Sequence, residues 1–112
     1  MNVYKREVSD VEFEKSSLPT EKEIAAMAQA LGTLISVGVP ILECLSTVIE
    51  VTPNACLRKI LNDVYVGVRN GKHMTLILSF YLRIVGADFI FVVRDGEQKG
   101  DLDWTLLEYA KQ

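Results

Sequence analysis

The sequence predicts an all-α fold, a compact bundle of about six short antiparallel helices. Apolar residues recur at steps of three and four along most of the chain, which is the spacing of one helix face. Helix-capping residues, glycines and prolines interrupt these stretches at short intervals. Short connections place consecutive helices antiparallel to each other. The 112 residues, 49% of them hydrophobic and 24% charged, have the composition of one folded domain.

The N-terminal region differs from the rest of the chain. Residues 1–19 have mixed charges and no sustained period, so we expect a partly disordered tail followed by a helical domain over residues 20–112. Thr20 and Glu23 have the spacing of a capping box, which predicts that the first helix begins there. Its apolar stripe follows at helical steps: Ile24, Met27, Leu31, Leu34 and Ile35.

Residues 24–42 form a stretch of nineteen residues without a charge, close to the length of a membrane span. Gly38 and Pro40 lie near its end, however. Glycine is a common residue just after a helix, and proline is common in the first turn of the next. The stretch is therefore predicted to be two helices joined by a turn, both contributing to the core.

The next two helices are bounded by similar signals. The second is expected over about residues 40–50. Thr52 or Asn54 can cap the third, and Pro53 fits its first turn. Asn70 and Gly71 then end the third helix, because both tolerate a positive φ.

Residues 73–94 are harder to interpret because they are rich in β-branched and aromatic residues. We expect two short helices, over 73–82 and 87–94, although residues 84–94 are also compatible with a strand. Residues 96–100 contain two glycines and are predicted to form a turn. The last helix should begin at Asp101 or Asp103, since a carboxylate stabilises a helix N-terminus.

No catalytic or cofactor-binding group can be assembled from sequence motifs. The one histidine, His73, has no evident orienting partner, and Cys44 and Cys56 are expected to be reduced, buried thiols. Four acids lie close together in sequence, and Glu97 and Asp101 are weak candidates for binding a divalent ion. Helix capping and a solvated acidic face are the favoured interpretation, because the segment lacks the ligand spacing of a calcium loop.

The charges are distributed unevenly along the chain. The net charge of -3 argues against nucleic-acid binding. Arg58 and Arg69 are eleven residues apart, about three helical turns, so they share a face with Lys72 nearby. This basic face could dock an acidic partner or approach anionic lipid headgroups, or it could be a solvated surface.

Two motifs resemble the GspF/PilC family, the type II secretion system protein F domain. Residues 37–45, VGVPILECL, are similar to its A-G-V-P-L-L-E-A-L motif, and residues 96–103, GEQKGDLD, to its G-E-x-S-G-x-L-D signature. Lys99 replaces the signature serine, and Asp95 stands where the family usually has a small residue, so the chain resembles a divergent member. The matching residues expected to build the fold are Gly38, Pro40, Leu42, Gly71, Gly96, Glu97, Gly100 and Leu102.

This resemblance implies the first cytoplasmic domain of a platform protein for type IV pilus assembly or type II secretion. Such a domain would be anchored to the bacterial inner membrane by segments outside this chain. The implied partners are the assembly ATPase, other inner-membrane components, pilin or pseudopilin subunits and a second copy of the protein. It implies neither catalysis nor a cofactor. A free-standing helical adaptor and a metal-dependent enzyme are the alternatives.

Overall fold

The structure, a computed structural model, describes residues 17–112. The predicted tail therefore lies outside the described residues except for its last three. Seven helices and no strand are found in the described part, which confirms the all-α prediction. They are α1 (Glu21–Ser36), α2 (Ile41–Val51), α3 (Ala55–Arg69), α4 (Met74–Ser79), α5 (Leu82–Val85), α6 (Ala87–Lys99) and α7 (Leu102–Ala110).

Helix α1 begins at the predicted capping box. The Glu23 amide donates to the Thr20 hydroxyl at 3.1 Å, and the Thr20 amide donates to the Glu23 carboxylate at 2.9 Å. Both amides lack intrahelical partners, so the box satisfies them. The helix ends at the expected turn, where Gly38 has a φ of +92°. No helix in residues 17–112 has the length and apolar character needed to cross a membrane.

The α1 helix packs most extensively against the last helix, α7. Gly32 lies at this contact, where an added Cβ would be 2.9 Å from the Leu107 Cγ atom and 3.2 Å from the Asp103 carbonyl oxygen. Two helix backbones can approach this closely only where one side chain is missing. The first and last helices of residues 17–112 are therefore joined into one core.

The connection between α2 and α3 is held by side-chain hydrogen bonds. The Asn54 side-chain oxygen accepts from the Leu57 amide at 3.0 Å, so Asn54 is the cap of α3. Its amide group donates to the Ser17 carbonyl oxygen at 3.0 Å and attaches the start of the described chain. Pro53 precedes this cap, so its predicted place in the first turn of α3 is wrong.

Residues 73–99 differ most from the expectation. They contain three helices instead of two, because α4 ends at Ser79 and the one-turn α5 follows as a separate helix before Gly86, which has a φ of +89°. The strand alternative is wrong: Phe89 and Val93, four residues apart, are buried while Phe91 between them is exposed. The predicted turn at residues 96–100 is also wrong, since α6 continues to Lys99 and only Gly100 is left-handed.

The core is built from one buried face of each longer helix. Cys44 and Cys56 are both buried free thiols, as predicted. Burial raises the pKa of Cys56 to about 11, because an enclosed thiolate loses its hydration. The largest fully buried side chains are Tyr81, Phe89, Leu31, Leu45, Leu57, Ile60, Leu61, Leu78 and Leu106.

Replacing Gly38 with valine tests the α1–α2 turn. A Cβ at Gly38 would meet open space, so the cost comes from the backbone conformation alone. A β-branched residue at this positive φ should lower the free energy of unfolding by about 1–3 kcal/mol in urea titrations. Val37→Ala, at the adjacent exposed position, should change it little; equal stability of Gly38→Val and wild type would contradict the assigned turn.

Candidate interaction site

Glu97 connects two helices that are far apart in sequence. From α6, its carboxylate accepts the backbone amides of Met74 at 2.8 Å and Thr75 at 3.1 Å, and the Thr75 hydroxyl at 2.5 Å. Met74 and Thr75 are the first two residues of α4, whose amides have no partner inside the helix. A carboxylate at this helix N-terminus also opposes the positive end of the helix dipole.

Helix α4 depends on this external carboxylate. It has only six residues, and a helix of that length is unstable in isolation. Its cap residue, His73, makes no side-chain capping hydrogen bond. His73 itself is exposed, with its Nδ1 atom 3.8 Å from a Glu97 oxygen. Glu97 therefore fixes both the start of α4 and its position against α6.

Gly96, which precedes Glu97, lies at a close helix contact, whereas the sequence predicted that it forms part of a turn. A Cβ on Gly96 would lie 2.4 Å from the Thr105 Oγ1 atom and 2.7 Å from the Leu102 Cα atom. Gly96 is thus a close-approach position that lets α7 pack directly on α6. Gly100, with a φ of +73°, then reverses the chain between these helices, and its amide donates to the Gly96 carbonyl at 2.9 Å.

Residues of the two sequence motifs meet around one cavity of about 410 Å³. Val39 and Ile41, from the first motif, line it together with Glu97 and Leu102 from the second. The segment around Gly71 completes the lining. We refer to this as the motif cavity; its full lining is Ile35, Val39, Ile41, Val68, Gly71, Lys72, His73, Met74, Glu97 and Leu102.

The other predicted motif residues do not line this cavity. Gly38 and Pro40 flank Val39 in the α1–α2 turn, where Pro40 is the cap residue of α2. Leu42 instead lines a separate surface depression with Tyr65. The first motif therefore contributes mainly a turn geometry, while the second contributes a hydrogen-bonding side chain and a close helix contact.

The three residues of the predicted basic face make different contacts. The Arg58 guanidinium donates to the carbonyl oxygens of Thr52 at 3.0 Å and Pro53 at 2.8 Å, so it satisfies backbone groups beyond the C-terminus of α2. The Arg69 guanidinium lies 5.8 Å from the Tyr65 ring centroid. Lys72 lines the motif cavity. All three residues are exposed, and only Lys72 among them lines the cavity.

The acidic residues around α6 are used within the fold. Asp95 pairs with Lys99 at 3.2 Å, and Glu97 accepts the α4 donors. One oxygen of Asp101 is enclosed without a hydrogen-bond partner, and the Asp101 side chain does not cap α7. Within residues 17–112, no three His, Cys, Asp or Glu side chains are grouped so that they could hold a metal ion.

Three exposed side chains on α4 and α6 were not identified from the sequence. Leu76 on α4 and Phe91 on α6 are large and exposed, and the Arg94 guanidinium lies 5.7 Å from the Phe91 ring centroid. Single apolar and charged residues are common on the exposed face of a helix, so no sequence motif distinguishes these three. Their importance depends on α4 and α6 being adjacent, which helix packing and the Glu97 hydrogen bonds establish.

The sequence of this chain is similar to those of known proteins. Residues 27–112 match the family described as type II secretion system (T2SS), protein F. The type IV pilus assembly protein PilC of Thermus thermophilus is 31% identical over 88 residues, which cover 79% of this chain. These residues are 21% of that relative, so the chain spans about a fifth of its length.

Replacing Glu97 with glutamine should destabilise the domain. The amide keeps one acceptor oxygen but replaces the other with a donor, so at least one part-buried N–H group of α4 loses its partner. We expect a loss of about 2 kcal/mol in the free energy of unfolding, measured in urea. Glu108→Gln, which changes only an exposed pair with Lys111, is the matched control. Equal stability of both variants would refute the assigned role of Glu97.

Proposed function

Because this chain belongs to the type II secretion system protein F family, we propose that it is the first cytoplasmic domain of an inner-membrane platform protein. The machine it serves is a type IV pilus assembly or a type II secretion system, and the similarity to PilC favours the pilus. In this role the domain is a docking module on the cytoplasmic face of the membrane. Its parent protein carries the membrane anchor outside the residues of this chain.

The observation that carries this proposal is the convergence of both family motifs on one folded unit. Residues 27–112 span the two motifs, and Glu97 joins the second motif to α4 at the motif cavity. The signature residues therefore hold helices together. A rigid helical domain of this kind can present a fixed surface to its partners.

The assembly ATPase is the partner we assign first, with other inner-membrane components and pilin or pseudopilin subunits as further partners. A basic surface formed by Arg69 and Lys72 supports docking of an acidic partner surface, because opposite charges accelerate encounter and fix orientation. Arg58 contributes less to binding in this proposal, since its guanidinium is engaged by backbone carbonyls. Homodimerisation is compatible with the same role.

We propose an interaction module and not an enzyme. Glu97, the acidic residue of the signature, accepts three hydrogen bonds from α4. Gly96 lies against α7 with no space for a larger residue. A catalytic carboxylate would need access to a substrate proton. A free-standing helical adaptor is the second candidate; it would use the same surface but would remain in the soluble fraction.

Fractionation of native cells with an antibody against this domain tests the membrane assignment. We expect a band much larger than the 112-residue chain, retained in the inner membrane after a carbonate wash. A soluble band at the size of this chain would contradict the platform role and favour the adaptor.

Co-purification of the assembly ATPase with the native protein tests the docking role. Charge reversal of Arg69 and Lys72 to glutamate should reduce the recovered ATPase several-fold at low salt, because surface charge attraction is screened as salt rises. Lys22→Glu, at an exposed position in the first turn of α1, is the control. Unchanged recovery with the double variant would remove this face from the proposal.

A further inference from the structure

A groove of about 340 Å³ runs between α4 and α6, next to the motif cavity. It is lined by His73, Thr75, Leu76, Arg94, Glu97 and Gln98. Glu97 lines the groove and also accepts hydrogen bonds from α4. The hydrogen bonds that position α4 therefore also determine the shape of the groove. A site that is already formed costs less conformational entropy when a partner binds.

One exposed apolar side chain lines the groove on α4, and a second lies outside this lining on α6, about one turn before Arg94. Leu76 on α4 is 47% exposed, and Phe91 on α6 is 58% exposed. Phe91, Arg94 and Gln98 follow at helical steps of three and four, so they share one face of α6. Aromatic and arginine side chains are the residues that most often contribute strongly to protein interfaces.

The exposed charge at the groove is basic, because Arg94 in its lining is exposed whereas the Glu97 side chain is only 16% exposed. Arg94 lines one side, and Lys72 precedes His73 at the other end. The Glu97 carboxylate is directed to the α4 donors, and Asp95 pairs with Lys99 at 3.2 Å. The groove therefore complements an acidic partner and disfavours a basic one.

From this combination we propose that the α4–α6 groove binds an acidic amphipathic helix of a partner protein. The apolar stripe of that helix packs on Leu76 and Phe91, and a carboxylate beside the stripe pairs with Arg94. A groove between two helices accepts a third helix through such anchors at successive turns. This inference rests on the proposed function, for which it specifies a second surface and the chemistry of its partner.

A pair of designed peptides tests this proposal on the full 112-residue chain. The acidic probe is a helix of about 14 residues, four turns, with leucines at helical spacing and glutamates flanking them. The second probe has lysine in place of every glutamate. Fluorescence anisotropy should show saturable binding of the acidic probe and binding of the lysine probe that is about tenfold weaker or more.

Matched variants locate the binding. Arg94→Glu should weaken the acidic probe by about tenfold and improve the lysine probe, and Leu76→Ala should also weaken binding. Arg83→Glu and Leu82→Ala are the controls: Leu82 is 49% exposed, and Arg83 lines a different cavity with Tyr109. Circular dichroism checks that each variant is folded. Equal effects of both variant pairs, or no saturable binding of the acidic probe, would overturn the proposal.

The outcome also separates this inference from the platform role. Peptide binding needs only the isolated chain, whereas ATPase co-purification needs the assembled machine. Loss of peptide binding with intact co-purification would remove the groove and keep the platform role. A further outcome is that neither peptide binds but Phe91→Ala abolishes self-association in sedimentation equilibrium. In that case a second copy of this chain binds at the groove, and the acidic-helix proposal is wrong.

Discussion

The hydrogen bonds of the Glu97 carboxylate determine how the second half of this domain is arranged. One side chain from α6 satisfies the first two amides of α4 and the Thr75 hydroxyl. Without that acceptor, a six-residue helix would begin with part-buried, unpaired donors, which is costly in a protein interior. The motif cavity and the α4–α6 groove both depend on this contact, since Glu97 lines each of them.

The close helix contacts have a complementary cause. Gly32 lets α1 approach α7, and Gly96 lets α6 approach α7, because a Cβ at either position would overlap an atom of the facing helix. Gly38 and Gly100 act differently: their surroundings are open, and only the positive φ requires glycine. The signature around Gly96, Glu97 and Gly100 therefore combines a close contact, a hydrogen-bond acceptor and a chain reversal within five residues.

Local signals predicted the first half of the fold well and the second half less well. The Thr20 capping box and the Gly38 turn involve neighbouring residues, so they can be recognised from the sequence. The segment around Phe89 is correctly predicted as a helix, but a strand is left as the alternative because its β-branched and aromatic residues favour one; packing against α7 decides for the helix. The contact between Glu97 and Thr75 spans 22 residues, and no local pattern reveals such a pairing. The groove beside it could therefore not be predicted.

Amide hydrogen exchange at Met74 and Thr75 tests most directly whether Glu97 holds α4 in place. As the first two amides of a helix, they have no intrahelical acceptor, so any protection must come from outside the helix. In the wild-type chain we expect both to exchange slowly, close to the rate at which α4 detaches from α6, with Leu61 in α3 as a core reference. Exchange at the rate of an unstructured peptide, while Leu61 stays protected, would contradict the account.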